Sequence, residues 1–123
     1  MKTKQEILKD LPNFYGTEAY HRWSPIFQNF VLTDGAKYIA EECGAYWLMD
    51  LVASHFHSYK ENGFAVVHLD SHGNNKAGVV IEDGDGHALA TQKVGYTDFP
   101  LDEITLYVVQ SGDLWVLMLT GEY

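Results

Sequence analysis

Ala45-Tyr46-Trp47-Leu48-Met49-Asp50-Leu51-Val52-Ala53-Ser54-His55-Phe56 is followed, after Asn62-Gly63, by Phe64-Ala65-Val66-Val67-His68-Leu69-Asp70, and the apolar period changes between the two. In the first stretch Leu48, Leu51, Val52 and His55 fall at i, i+3, i+4 and i+7, on one face of a helix. The second is a short run rich in β-branched and apolar residues, which reads as a strand. Helix before Gly63 and strand after it is the pattern of an α+β fold, with the helix laid on one face of the sheet.

Downstream of Gly63 the strand reading repeats. Residues 64–70, 78–82, 88–94, 104–110 and 114–119 give five strands. They are separated by turn signals at Gly73-Asn74-Asn75, Asp83-Gly84-Asp85-Gly86, Gly95 with Pro100, and Ser111-Gly112-Asp113. Short links favour antiparallel neighbours, so the expectation is a five-stranded antiparallel sheet in meander order. Upstream, Thr3-Lys4-Gln5-Glu6 reads as a capping box opening a short helix with Ile7, Leu8 and Leu11, which Pro12 ends. Residues 13–25 read as irregular or extended, and Ile26 to Leu32 as a short strand. Thr33 or Asp34 caps a further helix through Tyr38, Ile39 and Cys43, and Gly44 interrupts it. No repeat or linker divides the chain, so one domain over residues 1–123 is expected.

The 123 residues carry 17 Asp and Glu against 8 Lys and Arg, a formal charge of -9. Such a balance argues against a basic groove for nucleic acid and against anionic membranes, and it fits a basic partner. Cys43 is the single cysteine, so no internal disulfide is possible and a reducing compartment is expected. The charged N-terminus is no signal peptide, and no apolar run approaches the roughly 18 residues of a membrane helix. The expected location is the cytoplasm.

Several groupings suggest chemistry. His68, Asp70 and His72 share one face of an extended strand, but at a rise of about 3.3 Å per residue the two histidines stand roughly 13 Å apart. A metal with bonds of ~2 Å to nitrogen does not bridge that gap. His55 and His57 point about 200° apart on a helix. Asp83-Gly84-Asp85-Gly86 resembles part of a calcium loop, yet the positions that need acids hold Ile81 and Gln92. No metal and no cofactor is therefore expected, and no catalytic residue is assigned. Cys43 sits among apolar residues and reads as a buried thiol. Asp98 and Asp102-Glu103 read as loop acids. Tyr96-Thr97-Asp98-Phe99-Pro100-Leu101 is either a binding edge or a cap on the end of the core.

Thr33-Asp34-Gly35-Ala36-Lys37-Tyr38, Gly44-Ala45-Tyr46-Trp47-Leu48-Met49-Asp50, Thr97-Asp98-Phe99-Pro100-Leu101 and the final Glu122-Tyr123 together resemble a family of small bacterial and phage proteins classed as a domain of unknown function. The resemblance runs from about Phe14 to the end. It implies a phage or mobile-element context and brings no catalytic residues.

These readings lead to a non-enzymatic acidic binding protein, an inhibitor or modulator of a basic, nucleic-acid-binding host or phage protein. It would act without touching nucleic acid or membrane itself, and a homodimer is left open. Its expected binding residues are Asp83, Asp85 and Asp113 in the turns and Tyr96, Asp98 and Phe99 in the loop. In a meander the turns after the second and fourth strands fall at one end of the sheet, which would cluster these acids. The alternatives are a small metal-dependent or hydrolytic enzyme using the histidines and loop carboxylates, and a small-molecule sensor with an aromatic pocket.

Overall fold

The computed structural model describes residues 2–25, 27–56, 63–71, 75–95 and 97–123. Helix α1 is Lys4–Asp10, followed by a 3-10 turn at Leu11–Asn13 that contains Pro12. Thr3 and Glu6 form the expected reciprocal cap: Thr3 Oγ1 accepts from Glu6 N–H at 3.2 Å, and Glu6 Oε1 accepts from Thr3 N–H at 3.1 Å. Strands β1 (His21–Arg22) and β2 (Phe30–Leu32) precede helices α2 (Asp34–Glu42) and α3 (Tyr46–Phe56). Between the two helices Gly44 takes φ +60°, a left-handed conformation that stops α2. Strands β3 (Phe64–Asp70), β4 (Ala77–Glu82), β5 (Ala88–Val94), β6 (Glu103–Ser111) and β7 (Leu114–Leu119) complete the chain. Among the described residues no helix is long and apolar enough to cross a membrane.

The α+β class holds, with the five downstream strands within a residue or so of their expected bounds. The strand count and the order do not hold. Among the described residues the sheet has seven strands in the order β1-β2-β7-β6-β3-β4-β5, and β2 runs parallel to β7. This is not a five-stranded meander. After β5 the chain returns across the end of the sheet and enters between β3 and β7 as β6. The link 95–102 makes that crossing. Thr97 N–H donates to Asn75 O beside β4 at 2.7 Å, and Ser71 N–H beside β3 donates to Asp102 O at 2.7 Å. Phe99 and Leu101 are buried, so the link is fastened into the core by its own side chains.

One sheet face carries Phe30, Leu32, Val67, Leu69, Val79, Ile81, Leu106, Val108, Trp115 and Leu117, and all are buried. Ile7, Ile39, Leu48, Met49, Val52 and Phe56 of the helices belong to the same core. Of the expected sheet-facing trio, Leu48 and Val52 are fully buried and Leu51 is half-buried at the core margin. Met49, Ala53 and Phe56 take the rest of the contact, and Phe56 packs against Trp115 with ring centroids 4.9 Å apart. Each such side chain removed from water contributes roughly 1.5–3 kcal/mol.

Candidate functional site

The segment Thr33-Asp34-Gly35 starts helix α2, and Glu122 is its main partner. Thr33 caps the helix: its Oγ1 accepts from Ala36 N–H at 3.2 Å and donates to Glu122 Oε1 at 2.7 Å. Glu122 Oε1 also accepts from Leu119 N–H at 3.0 Å, and Oε2 accepts from Gly35 N–H at 3.1 Å. A carboxylate at a helix N-terminus meets unpaired N–H groups and the positive end of the dipole. Gly35 is required for space, because a Cβ there would collide with Glu122 Oε1 and lie 2.7 Å from Leu119 Cδ1. Asp34 secures the preceding segment: Oδ2 accepts from Glu18 N–H at 3.1 Å, and Oδ1 lies 2.7 Å from His21 Nε2. The His21 and Glu18 bonds hold the Asp34 carboxyl below its usual range. The first and last of the four distinctive segments thus form one structural junction.

The other two are also absorbed by the fold. Asp50 Oδ1 accepts from Trp23 Nε1–H at 2.7 Å, and Tyr46 stacks on Trp23 with centroids 5.5 Å apart, so α3 holds the irregular segment before β2. In the crossover, Phe99 and Thr97 are buried while Asp98 is exposed. Phe99 therefore offers no surface to a partner. Cys43 is fully buried, and burial pushes its thiol up to about 12. His57, His72 and Tyr96 lie outside the described residues. Among the described residues no cluster of three His, Cys, Asp or Glu is placed to hold a metal.

The second sheet face is different. Its apolar cluster consists of buried Val31, Val116 and Met118 with the part-exposed Tyr107, Val109 and Leu114 packed against them, and among the described residues no helix contributes to it. Register arranges this face in four rows across the strands. The first is Val31, Val116, Val109 and Phe64; the second is Met118, Tyr107, Val66 and Glu82. The third is Thr105, His68, Val80 and Thr91; the fourth is Glu103, Asp70, Gly78 and Lys93. The face thus grades from wholly apolar to charged along the strand direction. At the apolar end Phe64, Tyr107 and Tyr123 form a triangle with centroids 5.1 to 5.5 Å apart, and Tyr123 remains 74% exposed. In the third row His68 Nδ1 lies 3.1 Å from Thr105 Oγ1, and His68 Nε2 lies 3.1 Å from Glu82 Oε1. None of Phe64, Tyr107, Glu82 and Thr105 stands out as a site residue in the sequence. The alternation Thr105, Tyr107, Val109 puts them on one face of a strand, but which face stays open depends on register.

The expected acids are placed at one end of the sheet, though not by a meander. The β4–β5 turn with Asp83 and Asp85 and the β6–β7 turn with Asp113 both lie at the end where β3 begins. The β3 strand stands between them, so the turn centres are about 14 Å apart at ~4.8 Å per strand. Asp83 is committed to its turn: Oδ1 accepts from Asp85 N–H at 2.8 Å and His87 N–H at 3.1 Å, and these bonds hold its carboxyl below the usual range. Asp85 and Asp113 are exposed. A separate groove of about 360 Å³, lined by Leu11, Phe14, Ile104, Thr105, Leu119 and Gly121, lies where the N-terminal turn meets the end of β7.

A model of a family of unknown function, DUF6876, matches residues 5–123 of the chain. No curated protein and no solved structure matches it.

Proposed function

The chain belongs to this family of unknown function, and from that premise we propose that it is a non-enzymatic, cytoplasmic binding protein of phage or mobile-element context that engages a basic protein through the exposed aromatic and acidic part of its second sheet face. The observation that supports this reading is the graded face itself. Val31, Val116 and Met118 are buried, while Phe64 and Tyr107 are part-exposed and Tyr123 is exposed, and Glu82, Asp70 and Glu103 follow beside these aromatics. Apolar centres bordered by polar groups are the usual anatomy of protein interfaces, where aromatic side chains dominate the energy. A formal charge of -9 would steer a cationic partner and repel nucleic acid. An inhibitor or modulator of a nucleic-acid-binding host protein fits that chemistry.

The test is affinity capture from host lysate with the wild type, Tyr107→Ala and Glu82→Lys in parallel, followed by a salt titration of the captured complex. A basic protein retained by the wild type, lost with both variants and released by salt supports the reading. Capture that ignores both substitutions refutes it.

A hydrolytic reading has one specific observation behind it, the hydrogen-bonded row Thr105, His68 and Glu82. With the proton on Nε2 facing Glu82, Nδ1 accepts from the Thr105 hydroxyl, which is the polarity a nucleophile and its base require. Against it, Thr105 pairs with His68 on β3 just beyond the β6–β7 pairing, which stops at Leu106 opposite Leu119, and among the described residues nothing marks an oxyanion site beside it. The binding reading is therefore preferred.

A further inference from the structure

The hairpin of β4 and β5 ends the sheet, and among the described residues β5 has a neighbour on one side only. Alternate residues along Ala88–Val94 direct their N–H and C=O groups away from β4, towards the open edge. Natural edges of this length are usually blunted by charge, proline or a bulge. Here the strand reads Ala-Leu-Ala-Thr-Gln-Lys-Val, with one charge, at Lys93, and no proline. Its irregularity, between Ile81 and Glu82 opposite Ala88, lies at one end and leaves the rest straight.

Charge on this hairpin is divided between its ends. Lys76 and Lys93 lie at the end where Ala77 pairs with Val94. Glu82, Asp83 and Asp85 lie at the other. We propose that two copies of the chain pair antiparallel through their β5 edges, about a two-fold axis at Thr91, to make one continuous sheet. In that register Thr91 faces its own copy, Ala90 faces Gln92, Leu89 faces Lys93, and Ala88 faces Val94. Lys93 of each copy then stands beside the acidic end of the other. Lys93 and Glu82 occupy the same, second face of the sheet, because residues opposite one another in an antiparallel pair share a face. Two strand spacings separate them, about 10 Å between backbones, which two long side chains can span. The pairing is self-complementary and occurs twice by symmetry, as an isologous contact requires. A foreign strand would have to supply the same charge order by chance, so the second copy is the occupant the hairpin fits.

The full-length chain is measured by sedimentation equilibrium over a range of concentrations. The expected result is a reversible monomer–dimer equilibrium. Lys93→Glu places like charges at both ends of the contact and is expected to weaken dimerisation about tenfold or more. Glu82→Lys does the same from the other side. Lys93 is exposed and Glu82 part-exposed, and folding of each variant is checked by circular dichroism. The double variant Lys93→Glu/Glu82→Lys reverses the pair that the register brings together and is expected to recover the dimer. Thr91→Pro removes an edge N–H at the axis and is expected to give a monomer. A wild type that is monomeric throughout overturns the proposal. So does a dimer that neither single charge reversal weakens, or one weakened by both that the double variant fails to restore.

Discussion

Removing the Glu122 carboxylate is the most direct way to test how the chain is closed on itself. The side chain accepts three hydrogen bonds, from Thr33 Oγ1 at 2.7 Å, Leu119 N–H at 3.0 Å and Gly35 N–H at 3.1 Å. The losses are unequal. Thr33 Oγ1 has a second acceptor, Leu117 O at 3.3 Å, so its hydroxyl is not stranded. Gly35 is buried, and its N–H would lose this acceptor. An unsatisfied buried donor costs about 1–3 kcal/mol, and an anion at a helix N-terminus contributes a further 0.3–1 kcal/mol or so. Glu122 is itself half-exposed and water can replace part of the loss, so Glu122→Ala is expected to cost about 1–3 kcal/mol. Glu122→Gln keeps the shape but turns an amide group towards one of the donors, for about 1–2 kcal/mol. Urea unfolding at constant m reads both values. Gly35→Ala supplies the second arm. Its Cβ would collide with the carboxylate, so it should cost about 1–3 kcal/mol in the wild type and markedly less beside Glu122→Ala. A Glu122→Ala protein within ~0.5 kcal/mol of the wild type would refute the reasoning. An equal cost of Gly35→Ala in both backgrounds would do so too.

Cys43 is fully buried and its thiol is raised to about 12, so a disulfide reagent such as Ellman's is expected to leave the native protein unmodified and to label one thiol on denaturation. Stoichiometric labelling of the folded chain at neutral pH would contradict this. Stability should fall with acid in two stages, read by urea titration at stepped pH. His55 is held below its ordinary value by burial, so the unfolded chain takes up its proton first and stability declines as pH falls through about 6.5. Asp10, Asp34, Asp83 and Glu6 are all lowered in the fold, chiefly by bonds from Lys2, His21, the Asp85 N–H and the Thr3 N–H respectively. Their contribution is complete above the unfolded carboxyl values near 4 and is lost as pH drops through the folded ones. The upper stage should vanish in His55→Phe, and its persistence there would assign it to another group.

The features legible in the sequence are those that local interactions decide. Thr3 and Glu6 are three residues apart and meet within one helical turn, so the capping box is readable in four letters. The five downstream strands are bounded by glycine and aspartate turns whose backbone demands are equally local. Strand order is a different matter. β2 is three residues long and buried throughout, with no alternation to show its type, and its partner β7 lies at the far end of the chain. The insertion of β6 between β3 and β7 follows from the eight residues 95–102. Their apolar members Phe99 and Leu101 suit a link that crosses the core end better than a hairpin loop. The candidate face was less legible still. Tyr107, Val66, Glu82 and Met118 form one row although they come from four strands, and only pairing register brings them together.

What the structure does with the four distinctive segments narrows where function can reside. Thr33-Asp34-Gly35 and Glu122 hold each other, Tyr46 and Asp50 hold Trp23, and Phe99 and Leu101 plug the end of the core. Side chains so engaged are not free to meet a partner without cost to the fold. On the second sheet face the exposed Tyr123 and the part-exposed Phe64 and Tyr107 carry no hydrogen-bond duty of that kind, although Val31, Val116 and Met118 behind them are buried. Edge pairing through β5 bears on the same face. A two-fold axis perpendicular to the sheet leaves the second faces of both copies on one side, so the dimer would present two graded surfaces in reversed order. Each runs from Val31, Val116 and Phe64 towards Glu103 and Asp70, and the acids of the two copies then lie at opposite ends. A partner with two equivalent basic sites could engage both at once, and its apparent affinity would then rise steeply with dimerisation. The two proposals remain separable. Tyr107→Ala lies away from the β5 edge and should weaken partner binding while leaving the sedimentation dimer intact, whereas Lys93→Glu should dissociate the dimer and abolish that gain.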